Sequence, residues 1–231
     1  MKILIVGGGG REHTIAWKLA QSPLVDKLYC VPGNGGIAQV AECVPIAATD
    51  IDGIVAFAKK QEIDLTFVAP DDPLVLGMVD ALEAAGLSAF GPNKAAAIIE
   101  GSKVFSKELM KKYGIPTAEY EVFTSSADAL AYIEGKDCPI VIKAEGLALG
   151  KGVIIAQTKD EARDAIREMM DNAMFGDAGK RIVIEEFLTG PEIYVLAFTD
   201  GKTVKPMVSA QDHKRAYDNE RDLLSDPEID A

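Results

Sequence analysis

The rhythm of apolar and polar positions changes near residue 101. Before it, short continuous apolar runs alternate with stretches of helical period. Lys2 to Val6 reads as a buried strand, and Val25 to Val31, Leu65 to Ala69 and Ser88 to Phe90 read as three more. Runs of this kind suit strands covered on both faces. Between them, Glu12 to Ala20, Ile51 to Lys60 and Val75 to Ala85 read as helices. The second of these places Ile51, Ile54, Val55 and Ala58 on one face, and Asp50 stands where an N-cap belongs. The order βαβαβαβ predicts α/β architecture: an open, Rossmann-like parallel sheet over residues 1–101 with helices on both faces.

After Ser102 the pattern is that of an α+β domain. Lys103 to Tyr113 reads as a helix stopped by Gly114-Ile115-Pro116, and Ser126 to Glu134 as another. Lys159 to Met170 carries Ala162, Ala165, Ile166, Met169 and Met170 at helical spacing. Ile140 to Lys143, Val153 to Ala156, Ile182 to Phe187, Ile193 to Phe198 and Val204 to Ser209 read as strands. Asp200-Gly201 is a hairpin turn signal, so antiparallel pairing is expected. The segment from Asp218 to Ala231 is acidic, with weak strand character.

Composition narrows the classes. The chain has 231 residues, 48% of them hydrophobic, and a formal charge of −12. That supports packed cores and argues against nucleic acid as a partner, since nucleic acid calls for a basic face. Cys30, Cys43 and Cys138 are scattered, with no CxxC, which fits a reducing cytoplasm. The apolar start, Met1 to Val6, is too short for a signal peptide. No apolar run reaches the roughly 18 residues of a membrane span, so no membrane partner is expected. His13 and His213 are too few for a multi-histidine metal centre.

Two glycine clusters carry the candidate chemistry. Gly7 to Gly10 follow the first strand and open a helix, a place where freed N–H groups meet an anion, with Arg11 adding charge. They are not a dinucleotide fingerprint. The third small position falls on Glu12 or His13, and the region about 20 residues further on, Tyr29-Cys30-Val31-Pro32, holds no acid. Asp71 and Asp72, at another strand end, read equally as helix caps or as ligand contacts. The second cluster is Lys143-Ala-Glu145-Gly146-Leu-Ala-Leu-Gly150-Lys151-Gly152, between two β-branched runs. It is not a Walker A loop: Glu145 stands where the first glycine should be, and Gly152 follows the lysine. The loop joins strand to strand, as a flap over phosphates would. Lys143 suits the α/β-phosphates, and Lys151 with the Gly146–Gly152 loop suits the outer ones. Downstream, Glu186 to Leu188 leaves a strand and offers backbone groups to a base, while Glu192 could take a ribose hydroxyl. Asp212-His213-Lys214-Arg215 gathers cations suited to an anionic substrate.

Together these stretches resemble the phosphoribosylamine–glycine ligases, the glycinamide ribonucleotide synthetases of purine biosynthesis and a family of ATP-grasp enzymes. The resemblance rests on Gly7-Gly-Gly-Gly-Arg-Glu-His13, Pro32-Gly-Asn-Gly-Gly36, Phe90-Gly-Pro92, Ala95 to Lys103, Lys143 to Val153, Glu185-Glu-Phe-Leu188 and Asp212 to Ala216. It implies a pre-ATP-grasp domain over residues 1–101 that helps bind 5-phosphoribosylamine through Gly9, Gly10 and Arg11. An ATP-grasp domain follows over 102–231, with a lid subdomain at about 120–190 and an atypical acidic tail at 219–231. ATP would be held by Lys143, Gly150, Lys151, Gly152, Glu185, Glu186, Leu188 and Glu192. Asp212, Lys214 and Arg215 would lie on the substrate side. Lys151, Lys214 and Arg215 would serve the chemistry, which joins glycine to 5-phosphoribosylamine with ATP and Mg²⁺.

The chain also departs from the family. Glu145 stands where an Asp is usual, Tyr194 where a small polar residue is usual, and Ala69-Pro70-Asp71 where Gly-Pro-Glu is common. The Asp-Gly-Asp stretch and glycine-rich loop that follow Asp-His-Lys-Arg in the family do not follow Arg215. The resemblance therefore implies that the metal ligands lie in a missing second half, with none in this chain. The ATP-grasp domain would be incomplete, the isolated chain without turnover, and its exposed surface prone to self-association. The alternative is a non-catalytic ATP- or metabolite-binding module, or a component needing a second polypeptide. Another carboxylate–amine ligase of the same fold would share the flap and differ in the N-terminal loops.

Overall fold

The structure, a computed structural model, describes residues 1–146 and 152–211. The chain resolves into two compact units, Met1–Phe187 and Leu188–Ala231.

The first unit opens with β1 (Lys2–Gly7), α1 (Gly10–Leu19), β2 (Lys27–Pro32), β3 (Glu42–Cys43), α2 (Ile51–Gln61), β4 (Leu65–Val68), α3 (Asp71–Leu76), α4 (Met78–Ala84), β5 (Ala89–Phe90) and α5 (Lys94–Gly101). The five strands form one parallel sheet in the order β3-β2-β1-β4-β5. Ile3, Ile5, Leu28 and Cys30 point to the face covered by α1 through Ala16. Leu4, Val6 and Val68 point to the other, packing with Ile54 and Ala58 of α2 and Met78 and Leu82 of α4. Burial on both faces explains why these strands read as unbroken apolar runs. Asp50 caps α2, its side chain accepting from Gly53 N at 3.0 Å.

Three local readings change. The helix expected over Val75 to Ala85 is two helices, because Gly77 adopts φ +98° between them and leaves the α-helical path. Asp71 and Asp72 lie inside the first turn of α3, where carboxylates complement the helix dipole, and make no side-chain cap. Strand β3 escapes the sequence because two residues carry no periodicity.

The unit continues with α6 (Lys103–Tyr113), β6 (Tyr120–Phe123), α7 (Ser126–Glu134), β7 (Ile140–Ala144), β8 (Val153–Ala156), α8 (Lys159–Met170) and β9 (Ile182–Glu186). The second sheet has the order β6-β9-β7-β8, antiparallel throughout. One face carries Ile140, Ile142, Ala144, Ala156, Ile182 and Ile184, sealed by α7 and α8. Helix α8 contributes Ala162, Ala165, Ile166 and Met169, buried as their spacing predicts. Fully burying side chains such as Ile142, Ile166 and Met169 stabilises by about 1.5–3 kcal/mol each.

In the second unit, β10 (Ala197–Thr199) and β11 (Val204–Pro206) form the antiparallel hairpin expected around Asp200-Gly201, with Gly201 at φ +86°. The expected strand from Ile193 is shorter, starting at Ala197, with one isolated bridge between Tyr194 and Ala210 before it. The acidic segment from Asp218 lies outside the described residues. Among the described residues, no helix is long and apolar enough to cross a membrane.

Candidate functional site

The antiparallel sheet has a second face, and alternation decides what stands on it. Residues paired across the strands share a side, so Lys143 and Val141 of β7 stand with Val183 and Glu185 of β9, Tyr120 and Val122 of β6, and Val153 and Ile155 of β8. Two charged groups thus sit in a largely apolar field. A third arrives from α6. Lys107 Nζ lies 3.1 Å from Glu185 Oε2, and Lys143 Nζ lies 2.9 Å from the same oxygen. Lys107 also donates to Thr117 Oγ1 at 2.7 Å and Ala118 O at 3.4 Å, and stands 5.4 Å from the centre of the Tyr120 ring. Only 8% of the Lys107 side chain and 5% of that of Glu185 are exposed, against 27% of Lys143. Lys107 therefore holds Glu185, while Lys143 is the amine a ligand can reach.

A cavity of ≈ 360 Å³ opens on this cluster, within the size range of small-molecule sites. Lys103, Lys107, Lys143 and Glu185 are among its lining residues, with Asp71 and Glu100 exposed at it. Three amines against one buried carboxylate make its interior suited to an anion. Glu185 Oε1 is buried without a partner among the described residues, which leaves one strong acceptor for a donor group on a ligand. Burial pushes the Lys103 amine below its ordinary 10.5; Glu145 opposes that shift and Lys143 adds to it. A second cavity of ≈ 270 Å³ touches Glu185 and Glu186, along with Tyr132, Lys136 and Cys138.

The parallel sheet prepares a different surface. The loops after β1 and β2 lie against each other at its carboxyl edge, where ligands of open α/β sheets bind. Asn34 Nδ2 donates to Gly8 O at 2.8 Å, and Gly33 N donates to Gly7 O at 3.2 Å. A Cβ on Gly8 would stand 2.7 Å from Gly33 O, so this approach requires glycine. Glu12 folds back over the turn, its buried side chain accepting from Gly9 N at 2.5 Å.

The family model for the phosphoribosylglycinamide synthetase N domain matches residues 1–100, and that for the ATP-grasp (A) domain of the same synthetase matches residues 101–225. The chain belongs to the phosphoribosylglycinamide synthetase family. The phosphoribosylamine–glycine ligase of Halalkalibacterium halodurans is 55% identical over 221 residues, covering 96% of this chain and 52% of that protein. The chain thus spans about half the length of the curated relatives it matches. The crystal structure of the Thermotoga maritima ligase superposes with a TM-score of 0.79 at 30% identity, over 96% of this chain and 53% of that one. A carboxyaminoimidazole ribonucleotide synthase from Aspergillus clavatus, solved in complex with ATP, gives 0.66 at 18% identity over 90% of this chain and 53% of that one. That last likeness bears on the fold alone.

Within this synthetase fold, the sequence-derived residues fall into several groups. Lys143 and Glu185 meet directly, and Gly152 lines their cavity. Glu186 follows Glu185 but faces elsewhere: its Oε1 accepts from Glu119 N at 3.0 Å. Leu188 and Glu192 belong to the second unit, where Glu192 Oε1 accepts from the Tyr194 hydroxyl at 3.0 Å. Gly9 and Gly10 stand at the start of α1, with the Gly9 N–H given to Glu12; Arg11 is exposed on the first turn. Gly150, Lys151, Asp212, Lys214 and Arg215 lie outside the described residues. Sequence reasoning missed Lys107 and Lys103. A lysine in a helix reads as a solvated residue, and only the spacing Lys103, Lys107, Met110 hinted at a face turned inward. Among the described residues, no group of three or more His, Cys, Asp or Glu side chains is placed to hold a metal ion. No step below is routed through a metal ion.

Proposed function

We propose that this chain holds ATP for the ligation of glycine to 5-phosphoribosylamine, giving glycinamide ribonucleotide, ADP and phosphate. The observation that carries the reading is the Lys107–Lys143–Glu185 cluster at the floor of an amine-lined cavity. Lys143, tethered on one side to Glu185, is oriented to neutralise phosphate oxygens, and Lys103 adds a second amine at the cavity wall. Ile99, Met110 and Val153 give a base apolar contacts at the cavity, and Glu185 Oε1 is a buried acceptor left for its polar edge. Gly150 and Lys151 complete this nucleotide set in the proposal, which also assigns the segment Glu186 to Leu188 to the base and Glu192 to the ribose. In the reaction, a carboxylate oxygen of glycine takes the γ-phosphoryl group and ADP leaves. The amine of phosphoribosylamine then attacks the acyl phosphate and phosphate departs.

Mg²⁺ accompanies ATP in this reading, since hard cations bind phosphate oxygens with few protein ligands. The glycine loops with Arg11 are assigned to phosphoribosylamine, and Asp212, Lys214 and Arg215 to the reacting groups. The domain boundary is placed near residue 101, supported by the change from parallel to antiparallel pairing and by the two family-model matches. The cytoplasm is the proposed compartment, supported by three free cysteines.

Calorimetric titration with ATP, with and without Mg²⁺, tests the cavity. Binding is expected, and Lys143→Met should weaken it about tenfold or more, as loss of a charge-assisted contact does. No binding by the unmodified chain would sink the nucleotide reading. Coupled assay of ADP release with glycine and fresh phosphoribosylamine tests the reaction. The 231-residue chain spans 52% of its ligase relative, so binding without glycine-dependent turnover is the expected result.

A further inference from the structure

Glu145 is the first residue past β7, two positions after Lys143, and it is bonded to two other elements. Its Oε1 accepts from the Ser102 hydroxyl and from Arg181 Nη2 at 3.0 Å, and its Oε2 accepts from Val104 N at 2.9 Å. Its own N–H donates to Ala178 O and Arg181 O, both at 3.0 Å, and its carbonyl accepts from Lys103 N at 3.3 Å. Lys103 Nζ adds a bond to Gly146 O at 3.0 Å. The side chain is 14% exposed.

Helix capping accounts for only part of this. Ser102 already caps α6, its hydroxyl accepting from Phe105 N at 3.0 Å. The Glu145 carboxylate reaches the same helix end from another part of the chain and grips Arg181 with the same oxygen that takes Ser102. The three anchored elements are those that bear the cluster. Lys107 lies one turn beyond Val104 on α6, Lys143 is on β7 two positions before Glu145, and Glu185 is on β9, which begins right after Arg181. The sheet ladder fixes β7 against β9 through direct pairing of Val141 with Glu185. No ladder fixes α6, whose register against the sheet rests on the Lys103 N–Glu145 O bond and on side chains.

We propose that Glu145 is a positioning residue for the Lys107–Lys143–Glu185 cluster, setting where the α6 lysine stands relative to the two strand residues. It touches no ligand in this assignment. Its effect on ATP rests on the nucleotide reading above; its effect on the cluster does not.

The test uses the full chain with Glu145→Ala and the milder Glu145→Gln and Ser102→Ala. Without ligand, acylation rates of individual lysines are followed by peptide mass spectrometry, with Lys27 and Lys159 as distant references. Lys107 and Lys143 are expected to react about tenfold faster in Glu145→Ala, because small displacements of a preorganised cluster have large effects. Lys27 and Lys159 should keep their rates, and the milder variants should fall in between. ATP affinity should weaken in the same order. A uniform rise of all lysine rates with lowered thermal stability would overturn the proposal, making Glu145 merely structural. Unchanged Lys107 and Lys143 rates, or unchanged ATP affinity in a chain that binds ATP, would overturn it too. Selective Lys107 and Lys143 exposure in a chain that binds no ATP would uphold the positioning role and defeat the nucleotide reading. If Glu145→Ala fails to fold, the two milder variants carry the comparison.

Discussion

The two sheets of the first unit prepare for ligands in opposite ways. The parallel sheet offers backbone: glycine loops packed against each other, with Glu12 and Asn34 holding them in shape. The antiparallel sheet offers side chains: two lysines sharing one carboxylate oxygen in an apolar field. The first arrangement depends on the absence of Cβ atoms and carries little net charge. The second depends on charge balance in a region shielded from water. Damage should follow that difference, because an uncompensated buried charge costs more than a displaced loop.

The largest break is therefore Glu185→Ala. It leaves Lys107 buried without its counter-charge and should destabilise by about 3–5 kcal/mol, read from the urea midpoint at constant slope. The matched break in the parallel sheet is Gly33→Ala. Gly33 has φ +73°, and a Cβ would stand 2.3 Å from Cys43 Sγ. A loss of about 1–3 kcal/mol is expected in the same unfolding assay. If Gly33→Ala proves the more damaging, the contrast between the sheets is wrong.

The effect that is smallest at neutral pH, where it vanishes, is a pH dependence confined to the parallel sheet. Burial pushes the Cys30 thiol up to about 12 from 9.0, with Cys43 and Glu12 adding to the shift. Below pH 9 the thiol is protonated in both folded and unfolded chains and has no effect on the balance. Between pH 9 and about 12 only the unfolded chain ionises, so stability falls as pH rises, by up to about 1.4 kcal/mol per pH unit. Cys30→Ala should flatten that slope, which urea melts at stepped pH would reveal.

Much of the fold is legible because its periodicities are local. Helices α6, α7 and α8 begin and end where the apolar spacing and stop signals place them, at Lys103–Tyr113, Ser126–Glu134 and Lys159–Met170. Strand β8 does the same at Val153–Ala156. The misses have local causes too. Strand β6, with a mostly half-buried pattern, shows neither a continuous apolar run nor clean alternation. Gly77 breaks an apolar run that would otherwise pass for one helix.

The site divides in the same manner. Lys143 stands out in sequence because it ends a β-branched run beside a glycine-rich loop. Glu185 stands out because a charge closes a buried strand. Lys107 and the Glu145 contacts do not, since each depends on α6 reaching residues more than 35 positions away.

By itself, then, the sequence determined most of the strand and helix order, the parallel and antiparallel halves, and the glycine and lysine residue types that suit phosphate. These follow from neighbours within a few positions, where backbone preference and burial period act. Only the tertiary structure decided that Glu12 takes the Gly9 N–H, that Lys107 shares Glu185 with Lys143, and that Glu145 ties α6 to the sheet. A charged side chain carries no mark of its partner in the linear chain. Folding supplies the partner by excluding water and bringing donor and acceptor to about 3 Å, where pairing becomes obligatory.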